Sequence, residues 1–117
     1  MIKEVAFFVY PVSDVHRARR FYEDTLGLKV ASNWEDKWVE YEINSVAFAI
    51  TSWLPDNKPG VPGGNIAFEV DDLEATIAAL KANGVKFVQE LFATPVCRMA
   101  IVADPDGNRV VIHKRNG

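Results

Sequence analysis

The feature that most constrains the fold is an order of elements that occurs twice along the chain. The first half contains a short apolar run, then an amphipathic stripe with helical spacing that ends at a glycine, and then further apolar runs. The same order returns in the second half. The glycines that end the two stripes, Gly27 and Gly84, lie 57 positions apart, and Asp14 and Asp72 near their starts lie 58 apart. A near-constant offset over a shared order predicts an internal duplication.

The first module is expected to span residues 1–53. An apolar run over residues 5–10 predicts a buried strand that ends at Pro11. Ser13 is expected to cap a helix that runs to Leu26 and stops at Gly27. Three strands should follow, at residues 28–34, 37–43 and 45–53, with turns at Glu35-Asp36 and Asn44-Ser45.

Residues 54–64 contain three prolines and three glycines, which predicts a linker between the modules or a mobile flap. The second module, 65–117, should begin with a strand over residues 65–70. Asp71 and Glu74 are expected to form a capping box for a helix that ends at Gly84. A strand over residues 85–91 and a final hairpin complete this module, and the whole chain is predicted to be a single domain.

The final hairpin turns at Asp104-Pro-Asp-Gly-Asn108, where proline and glycine favour a tight reversal. Alternation along its strands gives each strand one apolar and one mixed face. The apolar faces are expected under the helices, and the mixed faces, with Arg98 and His113, beside a ligand. Arg98 could instead form an ion pair with Glu69 or Glu42. Cys97 is interpreted as a buried residue on the helix side, with a nucleophile as the less favoured alternative.

Composition excludes several classes of function. The chain has 117 residues, 49% of them apolar, a net charge of −3 and no basic stripe, so neither a nucleic acid nor a membrane is an expected partner. The single cysteine cannot form an intrachain disulfide, and neither a signal peptide nor a membrane-spanning run is apparent. A cytoplasmic protein is expected.

Three motifs carry a resemblance to a known family: Ala-Arg-Arg-Phe-Tyr-Glu-Asp-Thr-Leu-Gly-Leu at residues 18–28, Val-Asp-Asp-Leu at 70–73, and Asp-Pro-Asp-Gly-Asn at 104–108. In this order, the chain resembles the vicinal oxygen chelate superfamily of glyoxalases, bleomycin-resistance proteins, fosfomycin-resistance enzymes and extradiol dioxygenases. The resemblance implies an α+β fold of two tandem βαβββ modules. These would form a curved, cup-shaped mixed sheet with helices on its outer face, in a homodimer.

The resemblance also implies where a metal would bind. Metal-using members of the superfamily carry His, Gln or Glu ligands on the first and last strand of each module. Aligning the motifs puts Phe7, Phe48, Asn65 and Val111 at these positions, and these side chains are poor or impossible ligands. No metal and no cofactor are therefore expected. A nonstandard metal site would have to come from Glu40, Glu42, Glu69 and His113.

The first functional hypothesis is a metal-independent binder of a small amphiphilic or aromatic molecule in the cup, similar to the bleomycin-resistance branch. Because Arg98 could grip an acceptor, an anionic guest is favoured. One alternative is a lyase or dioxygenase with His113 as general base or a nonstandard site; another is an interaction module whose cup is filled by its own side chains. The expected ligand contacts are Phe7, Trp38, Phe48, Asn65, Glu69, Arg98, Val111 and His113.

Overall fold

The computed structural model describes residues 6–53, 58–60, 66–95 and 97–116. The chain divides into two compact units, Met1–Gly60 and Val61–Gly117. In its described part, each unit consists of one four-stranded mixed sheet and one helical segment. This is the α+β class with two tandem modules that the sequence predicts. Asn65 and most of the predicted linker fall outside the described residues.

Unit one contains a four-stranded sheet with the order β1-β4-β3-β2. Strand β1 runs parallel to β4, whereas the β4-β3 and β3-β2 pairs are antiparallel. The helix continues into a π-helical segment, in which the Leu26 N–H donates to the Phe21 carbonyl five residues back at 2.9 Å. The elements are β1 (Phe8–Pro11), α1 (Val15–Arg19), the π-helical segment (Arg20–Thr25), β2 (Val30–Trp34), β3 (Trp38–Ile43) and β4 (Val46–Thr51).

Unit two repeats this topology, with the strand order β5-β8-β7-β6. Its first strand again runs parallel to the last, and the other pairs are antiparallel. The shared order agrees with the predicted duplication. The elements are β5 (Ile66–Glu69), α2 (Leu73–Ala82), β6 (Lys86–Ala93), β7 (Cys97–Ala103) and β8 (Arg109–Arg115).

Both helices begin at an aspartate. The Asp14 carboxylate accepts from the Arg17 N–H at 3.1 Å, and the Asp72 carboxylate accepts from the Ala75 N–H at 3.0 Å. Each cap satisfies an N–H group that has no partner within the helix. The predicted caps at Ser13 and Asp71 are therefore wrong by one residue, because the sequence offers two adjacent capping residues at each start.

The turns in unit one depend on left-handed backbone conformations. Glu35 and Asp36 have φ of 54° and 53°, and Asn44 and Ser45 have φ of 52° and 72°. Two consecutive residues with positive φ match the twist of antiparallel strands in a tight hairpin. Both turns are found where the sequence predicts them.

Each helix covers one face of the sheet in its own unit. In unit one the rings of Tyr22, Tyr41 and Phe48 pack together, with centroids 5.3 to 6.3 Å apart. In unit two α2 packs against β8, and the buried apolar residues Leu73 and Leu80 lie on α2. Among the described residues, no helix of the same unit covers the opposite face of each sheet, which is called the open face below. No helix among the described residues is long and apolar enough to span a membrane.

Candidate ligand-binding faces

Strand register identifies which side chains share each open face, because directly paired residues point to the same side of a sheet. In unit one, Val9 pairs with Ala49, Ala49 with Glu40, and Trp38 with Trp34. The Phe7 ring meets the Trp38 ring edge-on at 5.4 Å, which brings Phe7 to the same side. The open face of unit one therefore combines the predicted contacts Phe7 and Trp38 with Trp34, Glu40 and Glu42.

Phe48 lies on the other side of this sheet. It is fully buried, with 0% of its surface exposed, and its ring packs against Tyr10, Tyr22 and Tyr41. Its assignment to the ligand face is therefore corrected. The neighbouring Ala49 lies on the open face instead.

The open face of unit two is an apolar surface with few polar groups. Val111 pairs with Ala67 on one side and with Ile101 on the other. His113 pairs in the same way with Glu69 and with Met99. The structure thus brings together three of the predicted contacts, Glu69, Val111 and His113, and adds Met99 and Ile101 to them.

Arg98 does not belong to this group. It pairs with Lys114, one position out of phase with the Met99 and His113 pair, so it points to the helix side of the sheet. Its guanidinium forms an ion pair with Glu74 on α2. This pair raises the pKa of Arg98 and lowers the pKa of Glu74. The predicted role of Arg98 beside a ligand, and its alternative pairing with Glu69 or Glu42, are both wrong.

Glu69 fixes the orientation of the His113 ring. Its Oε1 lies 2.6 Å from His113 Nδ1, and its Oε2 accepts the Arg115 backbone N–H at 2.8 Å. Two hydrogen bonds keep the pKa of the Glu69 carboxyl below its usual range: the larger effect comes from the Arg115 N–H and the smaller one from the His113 ring. Because an ionised carboxylate only accepts hydrogen bonds, Nδ1 carries a proton. Nε2 is left as the ring nitrogen that can contact a guest.

Cys97 is buried, as predicted, but on the opposite side from the one expected. Cys97 lies two positions before Met99, so both side chains are on the open-face side of β7, where Cys97 pairs with Arg115. Its Sγ lies 3.1 Å from Thr94 Oγ1, and its N–H donates to the same oxygen. The thiol is thus held against the turn before β7.

A polar network on the helix side of unit one was missed by sequence reasoning. Arg19 forms a two-point ion pair with Glu23 and a second pair with Asp36 at 2.9 Å, and the Tyr41 hydroxyl donates to Glu23 at 2.9 Å. Burial, and then the hydrogen bond to Glu23, raise the pKa of Tyr41. The spacing of Arg19 and Glu23 is the only sequence signal for this network. A groove of about 230 Å³ beside α1 is lined by the same pair together with His16, Arg20 and Asp24.

At three of the four metal positions of the superfamily, those within the described residues, the side chains do not fit a metal. Phe7 and Val111 lie on the open faces but have no donor atom, and Phe48 points away, with Ala49 in its place. Among the described residues, no group of three or more His, Cys, Asp or Glu side chains could hold a metal ion. Zinc and other transition metals need several nitrogen, sulfur or carboxylate ligands in one place.

Comparison with known proteins gives consistent similarities over nearly the whole chain. Residues 4–112 match the model of the Glyoxalase/Bleomycin resistance protein/Dioxygenase superfamily. The lactoylglutathione lyase of Haemophilus influenzae is 31% identical over 114 residues, which cover 85% of this chain and 83% of that protein. TnmS3, an antibiotic binding protein from Streptomyces sp. CB03234, has a crystal structure that superposes with a TM-score of 0.85 at 28% identity and covers 98% of both chains.

A glyoxalase/bleomycin resistance protein from the same Streptomyces strain is 30% identical, with a TM-score of 0.76, and the match covers 97% of this chain and 100% of that one. The relatives therefore include proteins named for a lyase activity and a protein named for binding an antibiotic. The family match spans both units and includes all three motifs that carry the resemblance. The chain belongs to the Glyoxalase/Bleomycin resistance protein/Dioxygenase superfamily.

Proposed function

We propose that this protein binds a small amphiphilic or aromatic molecule without a metal ion. The observation that carries the proposal is the open face of unit two. Val111, Ile101 and Met99 share this face with the imidazole of His113, which Glu69 holds in a fixed orientation. An apolar surface with a few oriented polar groups is the usual design of a small-molecule site. The similarity to an antibiotic binding protein supports a binding role.

The lack of donor atoms at the three described metal positions supports metal independence. Phe7, Ala49 and Val111 present only carbon atoms to the open faces. The Glu69 carboxylate and His113 Nδ1 already bind each other, which leaves them less available to a metal. These groups are better suited to a guest that is held by apolar contact and one hydrogen bond.

The polar anchor of the guest is His113, and replacing it should weaken binding. A thermal-shift screen of aromatic amphiphiles would select a guest, which is then titrated by calorimetry. Removing one hydrogen bond from a partly desolvated site costs about 1 to 3 kcal/mol, which is roughly 5- to 150-fold in affinity. His113→Ala is expected to lose affinity within this range.

Arg98→Ala is the matched control, because Arg98 lies on a neighbouring strand but faces α2. Its affinity should equal that of the parent. If Arg98→Ala weakens binding and His113→Ala does not, the assignment of faces in unit two is wrong. If no amphiphile shifts the melting temperature, the binding role itself is contradicted.

A lyase of the same superfamily is the second candidate. It is favoured by the 31% and 32% identity to proteins named lactoylglutathione lyase and probable lactoylglutathione lyase. In this case the His113 and Glu69 pair would supply the base, since the carboxylate keeps Nε2 available to accept a proton. A lactoylglutathione lyase assay of the chelated protein, with His113→Ala as its control, separates the two candidates.

We also propose that the protein forms a homodimer in the cytoplasm. Phe8 on the edge strand β1 is 53% exposed, and a large exposed aromatic side chain is typical of a surface that a partner covers.

A further inference from the structure

The open face of unit one combines aromatic rings with acidic side chains, which does not suit an anionic guest. Trp34 and Trp38 pair directly on neighbouring strands, so both indoles lie on the open face. Phe7 meets Trp38 edge-on, with an interplanar angle of 89°. Trp34 and Phe7 remain 47% and 42% exposed. Three aromatic rings are therefore available on one side of this sheet.

The charges on this face all have one sign. Glu40 and Glu42 lie on the same side of β3, where they pair with Ala49 and Ala47. Strands β1 to β4 contain these two acidic side chains and no Lys, Arg or His. Glu40 also accepts a hydrogen bond from Trp38 Nε1 at 2.9 Å, which holds the carboxylate beside the indole.

We propose that this face binds an organic cation, namely an ammonium group carried by an aromatic or alkyl body. Indole is the side chain that attracts cations most strongly through its ring face, and a carboxylate at its edge adds a direct charge attraction. The same carboxylates repel an anion. This inference rests on the proposed binding function and gives the charge of a guest on the open face of unit one.

Arg98 is the residue expected to bind an anionic guest. It pairs with Glu74 on the helix side instead, so it cannot hold an anion on an open face. On the open face of unit one, the acidic side chains Glu40 and Glu42 decide the charge preference. An ammonium group satisfies Glu40 and contacts the rings at once, whereas a carboxylate satisfies neither.

The test uses three probes that share a phenyl ring: benzyltrimethylammonium, the neutral benzyl alcohol and the anionic phenylacetate. Each is titrated into the protein by calorimetry, with tryptophan fluorescence as a second readout. The cation is expected to bind about tenfold more tightly than the anion. Glu40→Gln should reduce this preference to within about threefold, because glutamine keeps an oxygen for the Trp38 N–H but loses the charge.

Glu90→Gln is the matched control, since Glu90 lies on β6 of the other unit and pairs with Lys81. It should leave the preference unchanged, and circular dichroism checks that both variants fold. Equal affinity for cation and anion, or a preference that survives Glu40→Gln, would overturn the inference. If the neutral probe or another amphiphile still binds in that case, the proposed function stands. If none of the probes and no molecule of the amphiphile screen binds, both are overturned.

Discussion

Replacing Phe48 with alanine is expected to lower the free energy of unfolding by about 3 to 5 kcal/mol, the usual cost of truncating a buried phenylalanine. The Phe48 ring is fully buried and packs against Tyr10, Tyr22 and Tyr41 at centroid distances of 5.3 to 6.3 Å. Removing it leaves a cavity under α1 that the aromatic neighbours cannot fill. Urea denaturation measures the effect as a shift of the midpoint at a constant slope.

Phe7→Ala is the control for this experiment. Phe7 also lies at the sheet of unit one but on the open face, where it is 42% exposed. Its replacement should cost less than about 1 kcal/mol, as is usual for a partly exposed side chain. A Phe48→Ala variant that is as stable as Phe7→Ala would show that Phe48 faces the ligand side, as the sequence alignment suggests.

Asp104→Ala should have the second largest effect on stability, about 2 to 4 kcal/mol, because it removes the carboxylate that accepts three hydrogen bonds in a largely buried turn. Asp104 is 4% exposed. Its carboxylate accepts from the Asp106 N–H at 2.9 Å, from the Asn108 N–H at 2.8 Å and from the Asn108 side-chain amide at 2.8 Å. Thermal and urea unfolding both measure the loss.

Asp104→Asn tests the same contacts with little change of shape. Its amide oxygen can still accept from the two backbone N–H groups, but its NH₂ group meets the NH₂ group of Asn108. The variant should therefore be intermediate between the parent and Asp104→Ala. A fully stable Asp104→Ala would mean that the shape of this turn comes from Pro105 and from Gly107, whose φ is 87°, rather than from the carboxylate.

The fold could be predicted because its signals are local. Gly27 and Gly84 end the helices, the turns at Glu35-Asp36 and Asn44-Ser45 fall between apolar runs, and the order of elements repeats. Each of these features depends on a few neighbouring residues. The observed capping residues differ from the predicted ones by one position, because Ser13-Asp14 and Asp71-Asp72 each offer two similar side chains.

The faces of the sheets could be predicted only in part. Alternation shows which residues of one strand share a face, but it does not show the register between strands or which face the helix covers. In the run Val46–Thr51 five of the six residues are apolar, so alternation gives no direction for Phe48. Alternation groups Arg98 with His113 because each is a basic residue on a mixed face, yet the observed register pairs His113 with Met99.

Two features of the site region depend on contacts between distant residues. Glu69 and His113 are 44 positions apart and meet because β5 and β8 are parallel neighbours. Tyr41 and Glu23 meet because the π-helical segment turns Glu23 toward the sheet. Sequence spacing carries no signal for either contact.

The most direct test of metal-independent binding is the affinity for one guest before and after removal of metal. The protein is purified, its content of Ni, Zn, Fe and Mn is measured, and the guest selected by the thermal-shift screen is titrated with and without exhaustive chelation. Because Phe7, Ala49 and Val111 offer no donor atoms, we expect well under one equivalent of metal and the same dissociation constant in both titrations. Loss of binding on chelation, with recovery when one of these metals is returned, would contradict the proposed function.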